Sequence, residues 1–217
     1  MSDVIFLSNV RLSFPHLVEP HASPMNPNAP KKYSADFIMT QDNPGFAQFM
    51  QRYSVLAAEK WGTNAQTVMQ MIQADRKLRC YGSGAEKVDK KSFKPYSGYE
   101  GMVFISANKD QMPQMIQADG KPTEMGNTLA YQALARKMYG GCYVNAAIKP
   151  WIQENNFGRG IRCDLVAVQF AADGEPFGEG AADVSGMFGA VAAPMAAPAA
   201  PGVPMPTAPF PSFMTPQ

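Results

Sequence analysis

The hydrophobic pattern of the first forty residues indicates two strands that flank a loop. The chain is continuously apolar over 4–7 and then alternates apolar and polar residues up to Phe14, which is typical of a strand with one buried face. Five prolines and both histidines fall within 15–30 and predict a loop there. Alternation resumes over 32–40, where a second strand is expected with one face made of Tyr33, Ala35, Phe37 and Met39.

Apolar residues then recur every three or four positions, the spacing of an amphipathic helix. The first helix is expected from Pro44 to about Trp61, because Asp42 or Asn43 can cap it and proline is tolerated in the first turn. A second helical pattern covers 64–74, so both helices form one insertion after the second strand. A short third helix is predicted over 128–138.

Three further strands complete the pattern. A buried apolar run covers 101–107, a hairpin turn is expected at Asp119-Gly120, and two strands over 142–151 and 161–170 flank a turn at 155–160. The fold class expected is mainly β with a helical insertion, arranged as a five-stranded, partly open barrel of the OB-fold type. Periodicity alone leaves a β-sandwich as an alternative.

The C-terminal part of the chain differs in composition from the rest. From residue 181 it consists mostly of alanine, proline, glycine, methionine and valine, and its frequent prolines rule out a helix or a central strand. Small or flexible apolar side chains bury too little surface to offset the entropy of the chain. We therefore predict one folded domain over residues 1–174 and a disordered tail over 175–217.

Charge is distributed as unevenly as composition. Residues 1–162 hold all 19 lysines and arginines and 13 acidic residues, a balance of +6, whereas the remaining residues hold five acids and no base. Such asymmetry indicates a body that binds a polyanion and a tail with a separate role.

Basic and aromatic residues interleave over 76–99, where regular patterning stops. Single-stranded nucleic acid requires this mixture, because cations contact the phosphates and exposed rings stack on bases of any sequence. The alternative is a solvated loop whose rings fold back onto the barrel. The candidate residues are Arg76, Lys77, Arg79, Tyr81, Lys87, Lys90, Lys91, Phe93, Lys94, Tyr96 and Tyr99.

A second candidate set lies on the last two strands. Tyr143, Lys149 and Trp151 alternate with Val144 and Ile148, so they face outward if the two aliphatic residues are in the core. An outward Trp and Tyr beside a lysine form a stacking platform for bases, unless the tail or a second subunit covers them. The set continues with Phe157, Arg159 and Arg162, and lone cations elsewhere that are candidate phosphate contacts are Arg11, Lys31 and Lys32.

Several other function classes find no support in the sequence. Cys80, Cys142 and Cys163 are widely spaced and odd in number, which indicates buried thiols rather than a disulfide framework or a zinc site. His16 and His21 lie far from any nucleophilic cysteine, and no motif points to catalysis, to a metal or to another cofactor. No apolar run is long enough to span a membrane, and no secretory leader is visible, so a cytosolic protein is expected.

Three ordered motifs resemble a family of single-stranded DNA-binding proteins from tailed phages. They are the segment 9–17 (NVRLSFPHL), the segment 139–146 (YGGCYVNA), and the ending formed by 158–161, 168–170 and 173–175. The likeness covers about residues 1–180, and Arg11 and the Tyr143 strand fall on its motifs. It implies an OB-fold that binds single strands without sequence preference during DNA replication, recombination or repair in the cytoplasm of a bacterial host.

One departure from many single-strand binders concerns the acidic residues. The chain ends without charge, and its acids lie earlier, so we expect Asp173, Glu175, Phe177, Glu179 and Asp183 to form a tail segment that competes with DNA or binds replication or recombination proteins. RNA remains an alternative ligand, and an exposed barrel edge makes a homodimer possible. The alternative functions are a strand-annealing recombination mediator and a phage structural or assembly protein.

Overall fold

The structure is a computed structural model that describes residues 3–22, 27–90, 92–156 and 158–178. All of these belong to one unit that runs to residue 180. Most of the predicted disordered tail therefore lies outside the described residues, as do Lys91, Phe157, Glu179 and Asp183.

Ten helices and strands make up the described part, and their bounds follow the sequence pattern closely. The strands are β1 (Ile5–His21), β2 (Lys32–Met39), β3 (Tyr81–Ser83), β4 (Val103–Lys109), β5 (Gln114–Ile116), β6 (Tyr143–Asn155) and β7 (Gly158–Ala172). The helices are α1 (Pro44–Trp61), α2 (Ala65–Ala74) and α3 (Thr128–Lys137), with short 3₁₀ turns at Gly62–Asn64, Arg76–Leu78 and Gly84–Glu86.

One sheet contains all the strands, in the order β3-β4-β2-β1-β6-β7-β5. Neighbours are antiparallel except β5 and β7, which are parallel. The sheet curls until β4 packs against β7 without pairing with it, and Lys109 of β4 reaches within 3.7 Å of Asp164 of β7 across this gap. The expected partly open barrel of five principal strands is confirmed; β3 and β5 are three-residue additions.

The two helices of the insertion are present as expected. The Asn43 side chain caps α1 by accepting a 2.9 Å hydrogen bond from the Gly45 N–H. Phe49, Tyr53, Ala57 and Trp61 recur every four residues and are buried against the barrel. Gly45 lets the helix approach β1 closely, because a Cβ there would lie 2.7 Å from Cδ2 of Leu7. The inner face of the sheet, α1 and α2 thus share one core.

The first strand departs from expectation, because β1 continues to His21 through the region predicted as a loop. The pairing of β1 with β2 is irregular between Ser13 and His16 and again between His16 and His21. Pro15 and Pro20 fall in these two irregular stretches, where the ladder does not need their missing N–H groups. Proline density therefore marked interruptions of the ladder rather than the end of the strand.

A second, smaller cluster lies on the outer face of the sheet. Ile38, Tyr99 and Phe104 are buried there, and Tyr96, Met102 and Phe177 pack against them. Ile38 lies opposite Arg11 and Phe104 in the register, and Arg11 lies opposite Tyr143, so one row of outward residues crosses β4, β2, β1 and β6. This row joins the two candidate regions identified from the sequence.

Candidate nucleic-acid interface

The outer face of β1, β6 and β7 carries the candidate set that was predicted on the last two strands. Val144, Ala146 and Ile148 are buried, and Tyr143, Lys149 and Trp151 lie on the opposite face, as the alternation predicted. Arg162 of β7 lies directly opposite Trp151, and Phe6 of β1 lies opposite Ala147. We call the five outward residues Phe6, Tyr143, Lys149, Trp151 and Arg162 the platform.

Sequence reasoning missed Phe6, whose ring is 58% exposed. The alternation of Val10 and Leu12 suggests that even-numbered residues of β1 face the core. A bulge at Asn9, which has a φ of 51°, shifts the register between Leu7 and Val10, so Leu7 is buried and Phe6 faces outward. The neighbouring outward residues Ala147 and Ala167 are small, so the ring stands clear of the sheet. Asparagine tolerates a positive φ, and this tolerance was the one signal of the bulge in the sequence.

The cations of the platform already contact other protein groups. Lys149 Nζ lies 3.6 Å from a carboxylate oxygen of Asp3, with about half of its side chain exposed. Arg162 donates a 3.0 Å hydrogen bond from Nη1 to the Lys77 carbonyl and a 2.9 Å bond from Nε to Gln153. Exposed pairs of this kind are weak, so they leave Lys149 free to exchange its partner for a phosphate. Arg159, at the turn beyond the platform, pairs with Glu154 at 2.9 Å.

Most of the candidate segment 76–99 lies in the excursion between β3 and β4, residues 84–102, which we call the arm. Its two ends meet where the Gly84 N–H donates a 2.7 Å hydrogen bond to the Met102 carbonyl. A Cβ on Gly84 would lie 1.7 Å from the Tyr99 carbonyl oxygen, so only glycine fits this crossing. The arm lies on the outer face of β2 and β4, where its side chains form the small cluster around Ile38 and Phe104.

A buried carboxylate holds the arm on the sheet. Asp36 of β2 is 6% exposed and accepts a 2.7 Å hydrogen bond from the Tyr99 hydroxyl, and the Lys87 ammonium binds the same oxygen. Burial, followed by the nearby Asp36 charge, raises the pKa of Tyr99 far above its ordinary value of 10. Lys87 is only 22% exposed in this pair, so it contributes to the attachment of the arm.

The structure corrects three of the predicted ligand contacts in the 76–99 segment. Tyr99 and Tyr81 are buried, at 0% and 4% exposure, so neither ring can stack on a base. Arg79 is 7% exposed and donates to the Tyr81 carbonyl at 2.7 Å, to the Gln73 carbonyl and to Glu86. A buried guanidinium needs such acceptors, and Arg79 supports the start of the arm instead of contacting a ligand.

Other residues of this segment are accessible. Lys90, Phe93 and Lys94 are exposed at the tip of the arm, and Lys77 is exposed on the 3₁₀ turn before β3. Arg76 is half-buried, with its guanidinium 4.8 Å from the Phe104 ring centroid and 3.5 Å from Glu86. Tyr96 is half-buried against Phe14, at 5.1 Å between ring centroids. Lys32, at the start of β2, lies 3.4 Å from Asp110, and Lys31 is exposed beside it.

Arg11 lies between the arm and the platform and binds the chain as it leaves β7. Its Nε and Nη2 both donate to the Gly141 carbonyl at 3.2 Å, and Nη2 also donates to the Glu175 carbonyl. The guanidinium lies 4.3 Å from the Phe177 ring centroid. We call residues 173–178 the exit segment. It was expected to belong mostly to the free tail, but the structure gives it these contacts within the domain.

The remaining sulfur and carboxylate groups form no second site in the described part of the chain. All three cysteines are free and buried, and burial raises the pKa of the Cys142 thiol to about 11. Among the described residues no group of three or more His, Cys, Asp or Glu side chains is arranged to hold a metal ion. No helix within the described ranges is both long and apolar enough to cross a bilayer.

Comparison with known proteins shows to which family the chain belongs. A family model described as the Enterobacter phage Enc34 ssDNA-binding protein matches residues 3–194. The chain belongs to this Enc34 family. Protein p50 of Acyrthosiphon pisum secondary endosymbiont phage 1 is 31% identical over 183 residues, which are 83% of this chain and 90% of p50.

Solved structures of the Enc34 protein show the same fold. The single-stranded DNA-binding protein from bacteriophage Enc34 in complex with ssDNA is 28% identical, covers 81% of this chain and 90% of its own, and superposes with a TM-score of 0.62. A further structure of the Enc34 protein gives 29% identity and a TM-score of 0.58, over 84% of this chain and 88% of its own. The expected OB-type fold is therefore confirmed, and the Enc34 family match spans the platform, the arm and the exit segment.

Proposed function

We propose that this chain binds single-stranded DNA on the outer face of its barrel, through the platform and the arm. The observation that supports this most directly is the pair of exposed rings, Phe6 and Trp151, on one sheet face with Lys149 between their positions. Rings of this kind stack on unpaired bases of any sequence, and cations beside them replace the counterions of the phosphates. The family relationship supports the same ligand.

In this proposal the protein coats exposed strands and has no catalytic activity of its own. Its place of action is the cytoplasm of a bacterial host, during phage DNA replication, recombination or repair. Binding independent of sequence suits this role, because stacking and phosphate contacts are available at every nucleotide.

A homodimer remains a prediction that sedimentation can test. The strands at the two edges of the sheet, β3 and β5, are only three residues long in the described part, so they offer few backbone groups for pairing with a second copy.

Fluorescence anisotropy with labelled single-stranded DNA, duplex DNA and single-stranded RNA tests the proposal. We expect a preference for single-stranded DNA and an affinity that falls steeply with salt. In a plot of the logarithm of the binding constant against the logarithm of the salt concentration, each phosphate contact should contribute a slope of about −0.7. The variant Phe6→Ala/Trp151→Ala should bind more weakly, whereas Met71→Ala, which removes a 62% exposed side chain from α2, should bind like the parent chain. An equal affinity for duplex and single strand would contradict the proposal.

We further propose that the acidic residues beyond β7 regulate access to the outer face or bind a replication or recombination protein. The acids concerned are Asp173, Glu175, Glu179 and Asp183. The Phe177 ring lies among them in the sequence and contacts Arg11 on the outer face. The contacts of Arg11 with the Glu175 carbonyl and the Phe177 ring support this location. Two variants test the two parts of this acidic region separately. Removal of residues 179–217 deletes Glu179 and Asp183, and the single change Phe177→Ala removes the ring from the exit segment. If neither change alters DNA affinity at low salt or binding to host and phage replication proteins, the proposal is wrong.

A further inference from the structure

Phe93, at the tip of the arm, exposes its aromatic ring to solvent and has an unfavourable backbone conformation. Phe93 is 81% exposed, and no large hydrophobic side chain in the described part of the chain is more exposed. Its φ is 56°, in the left-handed region that a bulky residue rarely adopts. Both features cost free energy, and a residue held in such a conformation is a reason to look for a function.

The rest of the arm holds this ring in place. Below the tip, Val88 and Pro95 form a β-bridge, and the Tyr96 N–H donates to the Lys87 carbonyl at 2.9 Å. At the tip, the Phe93 N–H donates to the Asp89 carbonyl and the Asp89 N–H donates to the Lys94 carbonyl, both at 2.9 Å. These bonds close a tight turn with Phe93 on its outside, on an arm that is itself anchored by Asp36.

The side chains around Phe93 indicate which kind of ligand it meets. Lys90 and Lys94 are exposed on the same turn, within three residues of the ring. An exposed ring between cations matches an unstacked base with its flanking phosphates, since the ring stacks on the base and the ammonium groups contact the phosphates. An apolar protein partner would instead favour a hydrophobic patch without lysines, which are depleted at interface cores.

The tip and the platform occupy different halves of the outer face. The arm packs over β2 and β4, whereas the platform residues lie on β1, β6 and β7, and Arg11 of β1 lies between Ile38 of β2 and Tyr143 of β6. Because the arm is attached to β2 and β4, at the opposite end of this row of strands from β6 and β7, we expect only a longer strand to reach both places at once.

We infer that Phe93, with Lys90 and Lys94, forms a second base-stacking subsite for single-stranded DNA, separate from the platform. This inference rests on the proposed function of the outer face. It predicts that the tip lengthens the bound segment of DNA and increases affinity only for strands long enough to extend from the platform to the arm.

The test measures affinity against length for Phe93→Ala, Phe93→Trp and a control. The ligands are labelled oligothymidylates from about 4 nucleotides to about twice the 16-nucleotide upper limit of one OB-fold site. Leu129→Ala is the matched control, because Leu129 is 80% exposed on α3 and also apolar. Thermal unfolding checks that each variant remains folded.

We expect Phe93→Ala to bind the shortest strands like the parent chain and to bind long strands about 5- to 150-fold more weakly, the range for loss of one stacked base. Phe93→Trp should retain the affinity for long strands, and Lys90→Gln/Lys94→Gln should lower the salt dependence with long strands only. Unchanged affinity of Phe93→Ala at every length overturns the inference. An equal loss at every length also overturns it, since the tip would then belong to the platform site. If the parent chain binds no single strand, the proposed function itself fails.

Discussion

The indole Nε1–H of Trp151 donates a 2.8 Å hydrogen bond to Oδ1 of Asp164, which lies on the neighbouring strand β7. The other oxygen of Asp164 lies 3.7 Å from Lys109 Nζ, on the far side of the barrel gap. This bond fixes the orientation of a ring that is 38% exposed, so the ring is ordered before any ligand arrives. Such pre-organisation reduces the entropy that binding must overcome.

Replacement of Trp151 tests whether the ring stacks on bases. Trp151→Ala should weaken single-stranded DNA binding by about 5- to 150-fold, which corresponds to about 1–3 kcal/mol for one stacked base. Trp151→Phe keeps a ring but loses the bond to Asp164, so its loss should be smaller. Titration of both variants with one oligonucleotide at fixed salt measures the difference. Equal losses for the two variants would show that the hydrogen bond, and not the ring face, matters.

Asp36 should be important for stability although it lies on the outer face. Asp36→Ala leaves the Lys87 ammonium and the Tyr99 hydroxyl without their shared acceptor. We expect the free energy of unfolding to fall by about 3 kcal/mol, the low end of the range for a broken buried ion pair, because Lys87 keeps some solvent contact. Urea unfolding measures this value. Asp110→Ala, which breaks the exposed pair with Lys32, is the control and should cost less than about 1 kcal/mol.

Gly98 should report on the contact between the arm and the exit segment. Its φ is 80°, and a Cβ there would lie 2.0 Å from the Phe177 ring. Gly98→Ala should therefore destabilise the protein by the backbone strain of about 1–2 kcal/mol plus about 1–3 kcal/mol for the clash.

Gly120→Ala provides the matched control for that change. Gly120 has a φ of 82°, and a Cβ there would meet no atom within 4 Å, so this substitution carries only the backbone strain. In the Phe177→Ala background the cost of Gly98→Ala should fall to that of Gly120→Ala. A cost that does not change in this background would show that Phe177 does not occupy the space beside Gly98 in solution.

The stacked histidines of β1 should make stability depend on pH. The rings of His16 and His21 lie 4.6 Å apart and nearly parallel, and burial, followed by the charge of His21, lowers the pKa of His16 below its ordinary value of 6.5. The unfolded chain therefore binds a proton more readily than the folded one, so stability is lost as pH falls through about 6.5. Thermal melts between about pH 7.5 and about pH 5.5 should show this loss, and His16→Gln should reduce it. A melt profile that His16→Gln leaves unchanged would assign the pH dependence to other groups.

The sequence predicted most of the fold because each main element has a local signature. Helix α1 follows from the Asn43 cap and the four-residue spacing of its buried residues, and β6 follows from strict alternation around Val144 and Ile148. Which residues at the start of β1 face the core could not be predicted, because a continuous apolar run has no alternation that distinguishes its two faces. The Asn9 bulge decides which face is buried, and it depends on pairing with a strand more than a hundred residues away.

The sequence predicted which residue types make up the candidate site, but it did not predict which of these residues are accessible to a ligand and which attach the arm to the sheet. The segment around Arg79 and Tyr99 has the residues expected of a ligand-binding loop, and the structure uses several of them to attach that loop to the sheet. Burial and hydrogen-bond partners such as Asp36 decide between these roles, and they come from distant parts of the chain. Phe93, at the tip, stays exposed instead of packing on the described strands of the sheet.

The crossing of Gly84 and Met102 has a consequence for how this family can vary. An excursion that leaves and re-enters the sheet at one point imposes no strain on the barrel, whatever its length, and loop closure becomes only slightly less favourable as a loop grows. The eight positions between Lys87 and Tyr96 can therefore be lengthened, shortened or exchanged while Asp36 still holds the two ends of the arm and β3 and β4 stay in register. Tips taken from the arms of related phage proteins could in this way be grafted onto one barrel to vary the proposed second subsite.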